Sequence, residues 1–469
     1  MSGYKETNSL EIINYDEPNT NTSKLLFDQC DLPKLDPWDL SIAKHLKRFK
    51  DPSKLCRSKV EQLSKLINGQ LFLFLPKTAN VNCQRRCLLP KSDYDLEFGD
   101  WINVENGTRP NCDIFEVECN KTHNNDNYFV IYKFLHSQIY RPEMQETHVR
   151  EDNQKPDVHI IVLDSVSESQ FIRSMSKTRY VLRENYEAIA FRHLNKIGLN
   201  SRPNGFAFLL GKSIYNIRKS PVSQGYRSDY KNEAFCNKHL DQDQFIGFRF
   251  QEDGYKTMMS EDWAQGVFNW PNCKGFNITP TNHYMRPFQI RIEGNKKFRD
   301  YEMKNIIYRD SCLESYHYNM KYLQDFIDTY PDKPKFSITW MSYLAHSDIN
   351  ALYHIDEYFY RFFKNNEEKL NNSFVIIMGD HGNRYGPFRE TFVGEAEDNN
   401  PFLFLSIPAK MRKDVSLMET LRKNAKQLIT HYDIYATLNE ITNVSFNLFN
   451  MKKHFQILAF KSPDPETID

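Results

Sequence analysis

The chain has 469 residues, 40% of them hydrophobic, and its 61 Lys and Arg balance its 61 Asp and Glu to a formal net charge of zero. That length accommodates a large α/β domain with an extension, and the lack of a basic stripe removes the electrostatic footprint of nucleic-acid binding. No apolar stretch reaches membrane-spanning length, the nearest (residues 71–75) being strand-sized, and the polar start Met1-Ser-Gly-Tyr does not read as a secretory signal.

Residues 1–150 read as a cysteine-rich N-terminal extension. Its residues 36–49 have an acidic start and amphipathic spacing, which predicts a helix. Residues 71–75 and 128–134 look like strands. Six of the nine cysteines fall here: Cys30, Cys56, Cys83, Cys87, Cys112 and Cys119. Such clustering favours disulfides, with pairings open, over a zinc site at Cys83 and Cys87. Sequons at Asn21, Asn106, Asn120, Asn277, Asn371 and Asn443 permit glycosylation. Polar residues 145–155 read as a linker.

Residues 151–445 carry the α/β pattern. The run Val158-His159-Ile160-Ile161-Val162-Leu163 reads as a buried strand that stops at Asp164. Gly198-Leu199-Asn200-Ser201-Arg202-Pro203-Asn204 then precedes an apolar helical segment, 206–210, ending at Gly211. Helical spacing predicts one long helix over 303–330. A strand over 336–340 delivers Ser342, Tyr343 and His346. A helix over 354–363 leads to a second buried strand, 374–378, which runs into Gly379-Asp380-His381-Gly382. Residues 446–469 read as a tail.

Ligands in open α/β sheets sit at the carboxyl ends of strands. Two strand-end acids, Asp164 and Asp380, with an imidazole beside one of them, offer oxygen and nitrogen ligands to a divalent metal. Each acid alone reads equally well as a helix cap. Ser201 at a helix start lies in the field of unpaired N–H groups, which favours attack on a phosphorus or sulfur centre; taken alone, it is an ordinary N-cap.

Taken in order, Asp164-Ser, Asn-Ser201-Arg-Pro-Asn, His346, Gly-Asp380-His381-Gly and the later His431-Tyr-Asp433-Ile-Tyr-Ala-Thr437 resemble the alkaline phosphatase and sulfatase superfamily. Within it, the chain is most similar to a large nematode-expanded family built on a domain of unknown function. The resemblance spans roughly residues 155–445. It implies an alkaline-phosphatase-like α/β/α sandwich with a mostly parallel sheet, behind the cysteine-containing extension. It also implies an extracellular or secretory-lumen setting.

Carried over by motif, the resemblance makes Asp164, Asp380 and His381 metal ligands and Ser201 the nucleophile. His346 would act on the leaving oxygen. Arg384 and Arg389 would hold the ester anion, or else pair with Glu395 or Glu397. An acid-and-imidazole set suits zinc or manganese; calcium and magnesium prefer all-oxygen shells. Ser201-Arg-Pro-Asn-Gly lacks the Cys-x-Pro-Ser-Arg of formylglycine sulfatases, which argues against that mechanism. Asp348, His354, Asp356 and His431 lack the spacing of a second metal site. The expectation is a metal-dependent hydrolase or transferase of phosphate or sulfate esters, acting on an anionic substrate such as a glycan or lipid. The alternative is a catalytically silent extracellular binding protein on the same fold.

Overall fold

Three strands set the architecture: Asp157–Leu163, Lys335–Met341 and Ser373–Gly379 are buried at every position. Strands with no solvent face need cover on both sides. A computed structural model of the chain shows that cover, and describes residues 32–47, 51, 54–75, 81–123, 127–142, 155–220 and 224–443. Every described element lies in the unit that begins at Leu35. Cys30, Asn21, most of the 145–155 segment and the tail fall outside the described residues.

The main sheet has seven strands, in the order His283–Tyr284, Lys256–Glu261, Lys335–Met341, Asp157–Leu163, Ser373–Gly379, Leu403–Ser406 and Ile189–Ala190. The first five run parallel, and only Leu403–Ser406 is reversed against its neighbours. Alternation along the central strands divides the core in two. Val158, Ile160 and Val162 face one side with Phe374, Ile376 and Met378, under helices Ser201–Leu210, Ile246–Glu252 and His431–Asn443. Ile161, Leu163, Val375 and Ile377 face the other, under Glu168–Ser174, Ser315–Thr329 and Asp356–Asn365. This is the α/β/α sandwich that the resemblance implied.

A second, five-stranded antiparallel sheet comes from residues 81–137. Its Phe115, Val117 and Leu135 belong to the same apolar cluster as Ile161 and Val375. Polar bonds reinforce the junction: Asp113 accepts from Tyr322 Oη at 2.7 Å and meets His283 Nδ1 at 2.7 Å. Arg291 joins Glu116 at 2.7 Å to Asp300 at 3.1 Å. Cysteines pair as Cys83–Cys119 and Cys87–Cys112 within residues 81–137, Cys236–Cys273 in the α/β region, and Cys56–Cys312 between a loop that precedes this sheet and the α/β region. The zinc reading of Cys83 and Cys87 is thereby excluded.

Two expected helices differ. Residues 36–49 yield only a 3-10 turn, Leu40–His45, among the described residues. The long 303–330 helix is interrupted: Tyr301–Lys304 continues as a π-helix, Asn305–Asp310, and a new helix starts at Ser315. The break falls at Cys312, whose φ of 58° is left-handed and whose sulfur is bonded to Cys56. A non-glycine residue at positive φ cannot continue a helix, whatever its apolar spacing.

Candidate active site

Parallel pairing aligns the two strand-end acids. Gly379 stands opposite Leu163 in the register, so Asp380 and Asp164 leave adjacent strands side by side. Neither caps a helix: Ser167 caps Glu168–Ser174 by accepting from Gln170 N. Asp380 Oδ1 accepts from Ser165 N at 3.0 Å and His381 N at 2.8 Å. Its Oδ2 is buried and has no hydrogen-bond partner. Ser165 adopts φ 65°, folding its hydroxyl back onto Asp164 Oδ1 at 2.6 Å.

His381 completes the cluster. Its Nδ1 pairs with Gly382 O at 2.8 Å; a carbonyl only accepts, so that nitrogen carries the proton. The lone pair is left on Nε2, which is buried, unpartnered, 3.6 Å from Asp380 Oδ2 and 3.8 Å from Asp164 Oδ1. Ligand atoms of Asp164, Asp380 and His381 all lie within 4.8 Å of one another. Burial, followed by the Asp380 charge, raises the Asp164 carboxyl well above the ordinary carboxylate range. Orphaned acceptors converging in a buried site fit a divalent cation.

Ser201 is brought to the same place. Asn200 caps Ser201–Leu210 by accepting from Arg202 N, which leaves Ser201 as the first helical residue rather than the cap. Its Oγ donates to Asp164 Oδ2 at 3.0 Å. Asn204, wholly buried, braces the approach: it accepts from Ile197 N and Gly198 N and donates to Gly198 O and Asn200 O. A Cβ on Gly205 would meet Val267 Cγ2 at 2.2 Å, so the helix packs close there.

His346 and Arg384 adjoin the cluster. Arg384 Nη2 is 3.5 Å from His346 Nε2, its guanidinium lies over Tyr385 at 4.5 Å, and its buried Nε has no partner. Burial and then the Arg384 charge lower the His346 pKa, so its imidazole is neutral near pH 7. Arg389 is engaged elsewhere: its Nε donates to Asp398 at 2.7 Å, and Glu395 lies at 3.8 Å. Asp398 also takes Lys196. Glu397 faces inward, accepting from Arg173 and from Ser167 Oγ. Asp348, His354 and Asp356 have local partners in Asn350, Glu314 and Thr178.

One neighbour was weighed in the sequence only as a second-metal ligand without the right spacing. His431 is fully buried beside Asp380 and His381, faces the backbone of Asn195 and Gly379, and is pushed down to about 4 by burial. Its signal in the sequence was its place at the head of His431-Tyr-Asp433-Ile-Tyr-Ala-Thr437. A cavity of about 400 Å³ opens at the opposite end of the sheet, where four of the lining charges pair with one another, Lys335 with Asp157 and Lys369 with Asp328.

Among solved structures, the chain is similar to a protein in the alkaline phosphatase superfamily from Vibrio parahaemolyticus, at 15% identity and a TM-score of 0.37, over 63% of this chain and 68% of that one. It is similar to the C-terminal periplasmic domain of EcEptC from Escherichia coli in complex with zinc, at 11% identity and a TM-score of 0.39, over 63% and 85%. Alkaline phosphatase from the Antarctic bacterium TAB5 matches at 12% identity and a TM-score of 0.34, over 62% and 99%. No curated protein matches. A family model described as "Protein of unknown function (DUF229)" matches residues 50–456, and the chain belongs to that family.

Proposed function

We propose that this protein is a metal-dependent hydrolase or transferase of phosphate or sulfate esters, of the alkaline phosphatase and sulfatase type, with Ser201 as nucleophile. One observation carries the reading: the Ser201 hydroxyl donates to Asp164 within the cluster whose free acceptor atoms converge. Asp164, Asp380 and His381 would hold the metal, zinc or manganese by donor type. When bound, such a cation polarises the ester and lowers the pKa of a nearby hydroxyl.

The chain's own groups supply the rest. Ser201 Oγ bonds to phosphorus or sulfur as the bond to the leaving oxygen breaks. The Ser201 proton passes toward Asp164 Oδ2 and returns to Ser201 when the seryl ester opens, and the departing alkoxide takes its proton from solvent. Free N–H groups at the helix start offset charge on the transferred group. Arg384, with no acidic partner among the described residues, holds an ester oxygen. Neutral His346 takes a proton from the water or acceptor alcohol that opens the seryl ester. Four disulfides among the described residues fit an oxidising compartment and support an extracellular or secretory-lumen setting. Asn106, Asn277 and Asn371 are exposed there as glycan acceptors.

The test is turnover of aryl phosphate, phosphodiester and sulfate esters by protein from a secretory host, with zinc or manganese, beside Ser201→Ala. Metal-dependent turnover that falls about 1,000-fold or more in the variant is expected. No turnover by folded, metal-loaded protein would favour the silent binding protein.

A further inference from the structure

The residue after the nucleophile is built into a wall the chemistry above does not use. Arg202 donates from Nη1 to Trp270 O at 2.8 Å and from Nη2 to Tyr215 Oη at 2.9 Å. Its guanidinium lies 5.2 Å from the Phe235 ring and 5.6 Å from the Trp270 ring. All of these partners are neutral. No carboxylate pairs with Arg202 among the described residues, and its Nε is buried without a partner. The Cys236–Cys273 disulfide fixes the loop, and Cys273 Sγ itself lies 3.5 Å from Nη1.

Packing alone explains an arginine stem against rings. It does not explain why the rings stay uncovered. Trp270 is 38% exposed and Tyr215 45% exposed, one helix start away from Ser201. A guanidinium held against the ring of Trp270 and the hydroxyl of Tyr215, both part-exposed, presents positive charge and a flat apolar surface together. A quaternary ammonium headgroup would be repelled by the guanidinium. A lipid tail gains nothing from the charge. A sugar ring can rest its C–H face on an aromatic while its anionic substituent meets the cation.

We propose that Arg202, Trp270 and Tyr215 form a subsite for an anionic sugar unit beside the ester that Ser201 attacks, so that the substrate is a multiply charged glycan. This rests on the ester-transfer reading for the location of the scissile group and adds the substrate class.

The test measures binding to the full chain carrying Ser201→Ala, so that turnover plays no part. The probes are a sulfated heparan hexasaccharide, its desulfated counterpart and adenosine monophosphate. Expected are a preference for the sulfated hexasaccharide and a loss of about tenfold or more when Trp270→Ala is added, with Trp270→Phe retaining most of the affinity. Should Trp270→Ala fail to fold, as judged by its melting temperature, Tyr215→Ala carries the same expectation. Equal binding of both hexasaccharides, tighter binding of adenosine monophosphate, or affinity untouched by the variants overturns the subsite. Binding of this pattern in a protein that turns over no ester overturns the catalytic reading and leaves the subsite standing.

Discussion

Asp380 Oδ2 and His381 Nε2 are buried acceptors facing one another with nothing between them to donate. In the metal-free chain the Asp164 carboxyl beside them makes stability depend on pH. The folded-state pKa of Asp164 is raised, so from the ordinary carboxylate value near 4 upward the folded chain holds a proton the unfolded chain has lost, and stability falls as pH rises. Glu168, Glu261 and Asp262, each pushed to about 7 mainly by burial, act in the same direction. Metal binding has the opposite slope, because protons compete for its ligands. Adding zinc or manganese to chelated protein is therefore expected to raise the melting temperature more at pH 8 than at pH 5, with Asp380→Asn abolishing the gain. An equal gain at both pH values would count against this ligand set. Asp164, Asp380, His381 and Ser201 were legible because each ends a strand or starts a helix, where local pattern fixes position. The engagement of Arg389 by Asp398, and the place of His431, depend on contacts between distant segments, which periodicity does not report.

The helix Phe392–Asn399 anchors the site from behind. Its Glu397 takes Arg173 at 2.5 and 2.8 Å, with both side chains 1% exposed, and a Cβ on Gly382 would meet Glu397 O at 2.0 Å. Arg173→Ala leaves that carboxylate buried without its partner, which is expected to cost about 3–5 kcal/mol. Urea denaturation measures it, and a cost below about 1 kcal/mol would show that the pair is dispensable. At this scale the sequence identified the buried strands well, since an unbroken β-rich run has one reading when both faces are covered. It misjudged 303–330, where apolar spacing persists through a π-helix and a left-handed cysteine. The acidic, amphipathic look of residues 36–49 likewise overstated a single 3-10 turn.

The two sheets share one apolar cluster, so the antiparallel sheet of residues 81–137 packs as part of the same core rather than beside it. Composition and cysteine clustering pointed to a disulfide framework, but pairing is a property of the fold, and Cys56–Cys312 spans 256 positions. Replacing both by Ser is expected to lower stability by about 2–5 kcal/mol, read as a shift in the denaturation midpoint; no shift would show that packing alone holds the junction. The same bond makes the chain a closed ring from residue 56 to residue 312. Asp164 and Ser201 lie on the ring, whereas Asp380 and His381 lie on the strand of chain that leaves it. A single proteolytic cut anywhere in the ring thus releases no fragment. The nicked molecule keeps its full mass on a non-reducing gel and separates only when thiol is added, so integrity judged without reductant overlooks a severed backbone between the two halves of the site.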